Sequence, residues 1–243
     1  MNIYDNILCK PGKKLVLLID PDKYSLQGLI AAVYAAEESE IKLILVGGSL
    51  VKDNTDVFIE TIKKHTSIPV VLFPGSLMQL SNKADGILLL SLISGRNPEY
   101  LIGNHVLAAP FLKKSGLEII PTGYILVGEG NGSSVEYISN TRPIPAGKTD
   151  LIVATALAGE MLGNKLIYLE SGSGATAVLG NDVIREVKRN ITVPMIVGGG
   201  IKEPEQVSDI SKAGADIIVV GNAIEKNFDL LVKMSRVLQQ YQE

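Results

Sequence analysis

One stretch, YLESGSGA at residues 168–175, puts a carboxylate beside a backbone built to hold an anion. Gly172, Ser173 and Gly174 allow N–H groups to turn toward a common point, as in an anion-binding nest. Glu170, two residues ahead, carries the wrong charge for that task. Two more glycine turns recur downstream, VGGGI at 197–201 and VGNAI at 220–224, which bring in Gly199, Gly200, Gly221 and Asn222. One such turn reads equally well as a tight bend. Three in succession, each leading into a helical pattern whose N-terminus favours negative charge, point to phosphate. A second group lies near the N-terminus. LIDPDK (18–23) and VGGSL (46–50) offer Asp20, Asp22 and Ser49, hard oxygen donors of the kind that hold magnesium together with substrate phosphates. Lys23 adds a point charge suited to phosphate. These residues have plainer readings too: a strand-end turn at Asp20–Pro21, and helix caps at Asp22 and Ser49.

The elements that must position these groups follow from hydrophobic patterning. Apolar runs at 14–20, 42–48, 69–75, 86–92, 118–127, 165–171, 194–200 and 216–222 are continuous, not alternating. That is expected of parallel strands covered on both faces. Helical spacing fills the gaps. Leu26, Leu29, Ile30 and Val33 share a face, Asp182 precedes Val183, Ile184 and Val187 as a cap, and Pro204 and Gly214 bracket Val207 and Ile210. The segment after the third strand, PGSLMQLSNKAD, has room for only a turn or two. Eight β-then-α units in one domain of 243 residues predict a TIM (β/α)₈ barrel with a reduced helix after strand 3. An open doubly wound sheet is disfavoured by the lack of a strand leading into G-x-G-x-x-G. In a barrel, both groups above fall on the C-terminal rim, where active sites lie.

Composition narrows the function classes. A net charge of −3 with no basic stripe argues against nucleic acid. The longest apolar run, at 86–95, is too short to span a bilayer, and the N-terminus has no leader pattern, so a soluble, cytoplasmic protein is expected. A single cysteine, Cys9, permits no internal disulfide and reads as a small semi-buried apolar residue. His65 ends a helical pattern, whereas His105 reads as a ligand contact or a satisfied core residue. H-x-x-x-H, C-x-x-C and G-x-S-x-G are absent from the sequence. Another phosphate-binding barrel, a phosphosugar isomerase or aldolase, is the competing class. Against it, strand 5 carries no acid at its end before Glu129 and strand 6 has no central lysine.

Taken in order along the chain, DPDK, VGGS, YLESGSGA, VGGGI and VGNAI together resemble the geranylgeranylglyceryl phosphate synthase family, which includes the PcrB-type heptaprenylglyceryl phosphate synthases. SGRNPEYLIGNHV (94–106) and PTGYILV (121–127) resemble it as well. YISNTRPIP (137–145) is similar to its second group, which favours a C20 tail. The resemblance implies a magnesium-dependent prenyltransferase that joins sn-glycerol 1-phosphate to an allylic prenyl diphosphate for ether lipid synthesis. It implies Asp20 and Ser49 as Mg2+ ligands, Tyr168, Leu169, Glu170, Ser171, Gly172, Ser173, Gly174, Gly199, Gly200, Gly221 and Asn222 as glycerol-phosphate contacts, and Glu170 as the base. Tyr168 then orients the glycerol or faces an allylic cation with its ring, though it reads equally as a strand aromatic. The same resemblance implies a homo-oligomer, dimer or hexamer, and transient contact with a membrane surface.

Overall fold

A computed structural model describes residues 2–52, 54–130, 132–172 and 178–240. Eight parallel strands close into one barrel in chain order: β1 (Lys14–Ile19), β2 (Ile44–Val46), β3 (Val70–Leu72), β4 (Gly86–Leu92), β5 (Glu118–Leu126), β6 (Leu166–Glu170), β7 (Met195–Gly198) and β8 (Ile217–Val220). Alternate residues along each strand serve two cores. Val16, Leu45, Leu88, Ile120, Leu166 and Ile217 belong to one apolar cluster inside the barrel. Leu17, Ile44, Ile87, Ile167 and Ile218 join the helices in another around it. At the N-terminal end, a π-helical turn (Tyr4–Leu8) seals the barrel with Ile3 and Leu8. It is pinned by the Ile3 and Tyr4 N–H groups, which donate to the Glu118 carboxylate.

The outer layer comprises α1 (Leu26–Glu38), α2 (Thr55–His65), α3 (Asn104–Ser115), α4 (Ser134–Ser139), α5 (Thr149–Met161), α6 (Asn181–Asn190), α7 (Pro204–Ala213) and α8 (Asp229–Gln239). Local sequence sets their starts. Ser25 and Asn54 accept N–H bonds at the heads of α1 and α2, and Ser133 with Glu136 forms a capping box on α4. Asp182, expected to cap α6, instead lies in its first turn and pairs with Arg185 at 2.6 Å. Gly180 holds the cap position, because the helix begins two residues earlier than the apolar pattern suggests. Cys9 is exposed and not semi-buried, since the turn that carries it sends Leu8 inward in its place.

The expected gap after the third strand is present. Only a 3₁₀ turn, Leu77–Gln79, stands between β3 and β4. The ladder is short there too: β3 pairs with β4 at two positions, whereas β4 pairs with β5 at seven. From Leu88 onward β4 therefore has no strand beside it on the β3 side, and the barrel wall is open along that seam.

Candidate active site

Glu170 is the last residue of β6, in register with Leu126 of β5 and Gly198 of β7. Its strand parity matches Leu166 and Tyr168, so the side chain points inward at the C-terminal mouth. It is 7% exposed, and its Oε1 accepts the Gly172 N–H at 2.7 Å. Burial pushes its pKa up to about 7, a rise that the Gly172 N–H and the neighbouring Tyr168 hydroxyl only partly offset. A carboxyl tuned to neutrality and held at a barrel mouth is suited to general base work.

The β7 turn makes room for that carboxyl. Gly199 has a φ of +89°, and a Cβ on it would lie 2.3 Å from Glu170 Oε1 and 2.9 Å from the Ser171 nitrogen. Gly200 follows at φ +72°, and among the described residues neither of these glycines donates its N–H in a hydrogen bond. Ser171 donates its N–H to Gly198 at 3.1 Å, while its hydroxyl is buried and has no partner. One buried hydroxyl and two half-buried N–H groups without a partner among the described residues are suited to an oxyanion ligand. Gly221 and Asn222 continue this rim after β8, the next strand round. Ser173 and Gly174 lie outside the described residues. Leu169 is fully buried in the outer core, so its side chain takes no part at the mouth.

Beneath the carboxyl lies an aromatic layer. Tyr168 stacks on Phe73 at 5.4 Å between ring centroids and meets Tyr124 at 5.2 Å. The Tyr168 hydroxyl is buried without a hydrogen bond of regular geometry, close to Glu170 and to Gly198, where any Cβ would collide with it. Burial holds the Tyr168 and Tyr124 phenols well above their usual range, so both rings are neutral.

Across the mouth, Asp20 follows β1 and Ser49 follows β2, both half-buried. The strand-end reading of Asp20 is correct locally: it heads a 3₁₀ turn, Pro21–Lys23, and accepts the Asp22 N–H at 3.2 Å. Neither alternative cap is realised. Asp22 accepts the Lys52 N–H at 3.0 Å, which ties the two rim loops together, and α2 is capped by Asn54 instead of Ser49. A Cβ on Gly48 would lie 2.9 Å from Asp20 Oδ2, so the carboxylate abuts the loop carrying Ser49. Burial raises the Asp20 pKa, with the Asp22 N–H and exposed Lys23 opposing. Among the described residues, no group of three or more His, Cys, Asp or Glu side chains gathers around a point. One desolvated carboxylate beside one hydroxyl fits a hard divalent cation whose remaining ligands come from water and ligand phosphates.

The open seam forms an apolar cavity of about 130 Å³ running from this rim down the barrel flank. Phe73, Leu77, Leu80, Leu89, Tyr100 and Ala108 line it, and Ser49 and Tyr124 stand at its upper end. His105 lines it as well, with Nε2 3.1 Å from Ser91 Oγ. Phe73, Tyr124 and Gln79 are site residues that sequence reasoning missed. Phe73 and Tyr124 look like ordinary strand aromatics, and Gln79 falls in the weakest element of the chain.

Known proteins with this architecture are close in sequence. A family model described as "PcrB family" matches residues 10–239. A geranylgeranylglyceryl phosphate synthase from Spirosoma linguale is 47% identical over 95% of this chain and 93% of its own length. One of the same name from Chitinophaga pinensis is 49% identical over 96% and 94%. The crystal structure of (S)-3-O-geranylgeranylglyceryl phosphate synthase from Thermoplasma acidophilum, in complex with its substrate sn-glycerol-1-phosphate, superimposes with a TM-score of 0.89 at 34% identity, covering 94% of both chains.

Proposed function

The chain belongs to the PcrB family, and from that premise we propose that it joins the 3-hydroxyl of sn-glycerol 1-phosphate to C1 of geranylgeranyl diphosphate, forming an ether and releasing diphosphate. The observation that carries this reading is the position of Glu170: a buried carboxyl with a pKa of about 7, between unpaired glycine-turn donors and the mouth of an apolar groove. The Ser171 hydroxyl and the N–H groups of Gly199 and Gly200 hold the phosphate, with the β8 turn completing the rim. The glycerol 3-hydroxyl then reaches Glu170. The carboxylate accepts its proton as the oxygen lone pair forms the bond to C1, and the C1–O bond breaks with its electron pair leaving on diphosphate.

Phe73 and Tyr124, which line the groove, offer neutral aromatic groups to the positive charge that develops on the allylic carbons, and the fully buried Tyr168 backs them from beneath. Asp20 and Ser49 would hold Mg2+, which would supply positive charge to offset that growing on the diphosphate oxygens. Lys23 stands on the same rim as a further countercharge. Keeping the two anion holders on opposite sides of the mouth lets two polyanions approach without direct repulsion. The seam beside β4 takes the tail, and each buried CH₂ contributes about 0.8 kcal/mol.

Two further features belong to this reading. Leu50, Met78 and Tyr137 are exposed next to groove residues and give the rim an apolar surface for transient contact with a membrane. No helix among the described residues is long and apolar enough to cross one. Ile102, Val106 and Leu107, exposed on and beside α3, offer a face for a homo-oligomer, dimer or hexamer. The test of the activity is incubation with magnesium, radiolabelled sn-glycerol 1-phosphate and a ladder of prenyl diphosphates. The expected result is an ether product strongest with the C20 donor. No product at any length would overturn the reading in favour of an isomerase- or aldolase-type barrel.

A further inference from the structure

The 3₁₀ turn Leu77–Gln79 is all that remains of the helix after β3, and its side chains divide among three surroundings. Leu77 and Leu80, three residues apart and therefore on one face of a 3₁₀ turn, line the groove. Met78 is 88% exposed. Gln79 is 2% exposed and turns the other way, under the β2 rim. Its Nε2 donates to the Gly48 carbonyl at 2.7 Å, and its Oε1 accepts the Gly48 N–H at 3.3 Å and the Gly75 N–H at 3.4 Å. One buried amide thus satisfies both backbone groups of a single residue and reaches a second loop.

Among the described residues no other side chain hydrogen-bonds the Gly48 backbone. The rims after β2 and β3 meet backbone against backbone: a Cβ on Gly75 would lie 2.4 Å from the Gly48 oxygen and 2.9 Å from Ser49 Cα. On its other side Gly48 abuts the Asp20 carboxylate, with all three carboxyl atoms within 3.1 Å of a Cβ placed there. Gly48 is therefore the spacer between the two oxygen donors, and its position along both backbone directions is set by Gln79.

We propose that Gln79 is a positioning residue for the diphosphate side of the site. Through Gly48 it holds the loop that carries the Ser49 hydroxyl against the Asp20 carboxylate, the pair that would hold a divalent cation. It acts without touching substrate, and the shortened segment after β3 thereby opens the tail groove and stiffens the cation site with the same turn. This rests on the proposed function. It predicts a split: Gln79 variants lose affinity for the metal–diphosphate pair and keep affinity for glycerol phosphate, whose donors sit on β6–β8.

The experiment reads binding, not turnover. Mn2+ with inorganic diphosphate is titrated against the full chain by electron paramagnetic resonance of free Mn2+, and sn-glycerol 1-phosphate is titrated separately by calorimetry. In Gln79→Leu the Mn2+–diphosphate affinity is expected to fall about tenfold or more, in line with losses seen when groups that orient metal ligands are removed. Glycerol phosphate affinity should stay within about twofold, since that site shares no partner with Gln79. If the leucine variant does not fold, Gln79→Glu decides. Glutamate keeps the size and the acceptor and loses the donor to the Gly48 carbonyl when ionised. Its acid form restores that donor, so the deficit relative to wild type should shrink as pH falls from 8 to 5.5 over a burial-raised carboxyl pKa. A pH-independent deficit, wild-type Mn2+–diphosphate binding in either variant, or equal loss of both ligands would overturn the proposal. Failure of the wild-type chain itself to bind Mn2+ with diphosphate would count against the cation site, and so against the broader reading.

Discussion

The two sides of the barrel mouth are built from different materials. The β6–β8 side is backbone: glycine turns, N–H groups at Gly199 and Gly200 without a partner among the described residues, and one buried carboxyl, packed so closely that a methyl group at Gly199 would overlap Glu170. The β3–β4 side is side chain: a seam left open because β3 pairs with β4 at two positions only, filled by leucines, Tyr100 and Ala108. Backbone donors have fixed positions and fixed chemistry, so that side can recognise one small anion and poise one proton. Apolar side chains bind by area and tolerate changes of volume, so the other side sets affinity and length without setting chemistry. The contrast predicts large, all-or-none effects from small changes on the first side and graded effects on the second.

The largest effect should come from Glu170→Gln. The amide keeps shape and can still accept the Gly172 N–H, but cannot take a proton, so kcat should drop about 10²–10⁴-fold. Glycerol phosphate binding by calorimetry should survive, and a variant with turnover near wild type would remove Glu170 from the role of base. Gly199→Ala follows. It forces a side chain into a φ of +89° and a Cβ to 2.3 Å from Oε1. Displacing the base by this much should cost about 10²-fold in kcat/KM. If the enzyme tolerates alanine there, the close packing of the two turns is not what aligns the base.

On the groove side, Ala108→Phe adds volume at a site 4% exposed on α3. The yield with a C20 donor relative to a C10 donor should fall about tenfold, within the range that one misfit in an apolar pocket produces. Glycerol phosphate affinity should not move. A variant that lost both equally would show that the two sides are not independent.

How much of this contrast could be read from sequence also differs by side. Strand runs such as KLIYLES and PMIVGGG carry their own turns, so Glu170 and Gly199 could be placed at a rim from sequence alone. Backbone sites announce themselves through glycine, because few other residues permit the geometry. On the other side the reduced helix after strand 3 could be read, but neither the residues that line the groove nor the clamp beneath it could. Phe73, Tyr124 and His105 become neighbours only through barrel closure and the missing strand contact. Gln79 is an unremarkable polar residue in a short segment until its amide is seen to meet Gly48. Asp182 shows the ordinary limit of local signals, since a good capping residue sits two positions past the cap of the helix it was expected to begin.

The pH dependence joins activity to stability on the backbone side. Below pH 7 Glu170 carries a proton and cannot act as base, so kcat/KM should rise with pH through an inflection near its pKa of about 7 and then level off. The same shift has a stability cost of opposite sense. The folded pKa lies above the ordinary carboxyl value of 4.5, so the folded chain holds this proton more tightly than the unfolded chain does. The resulting stabilisation is fully present below about pH 4.5 and is lost as the pH climbs through 7, which at about 1.4 kcal/mol per pH unit amounts to about 3 kcal/mol. Glu170→Gln has no proton to lose. Its stability relative to wild type, measured by urea unfolding at pH 5 and at pH 8.5, should therefore improve by up to about 3 kcal/mol at the higher pH while its activity stays absent. An unchanged difference between the two pH values would mean that the buried carboxyl is not held near neutrality, and the activity profile should then lack its inflection near 7 as well.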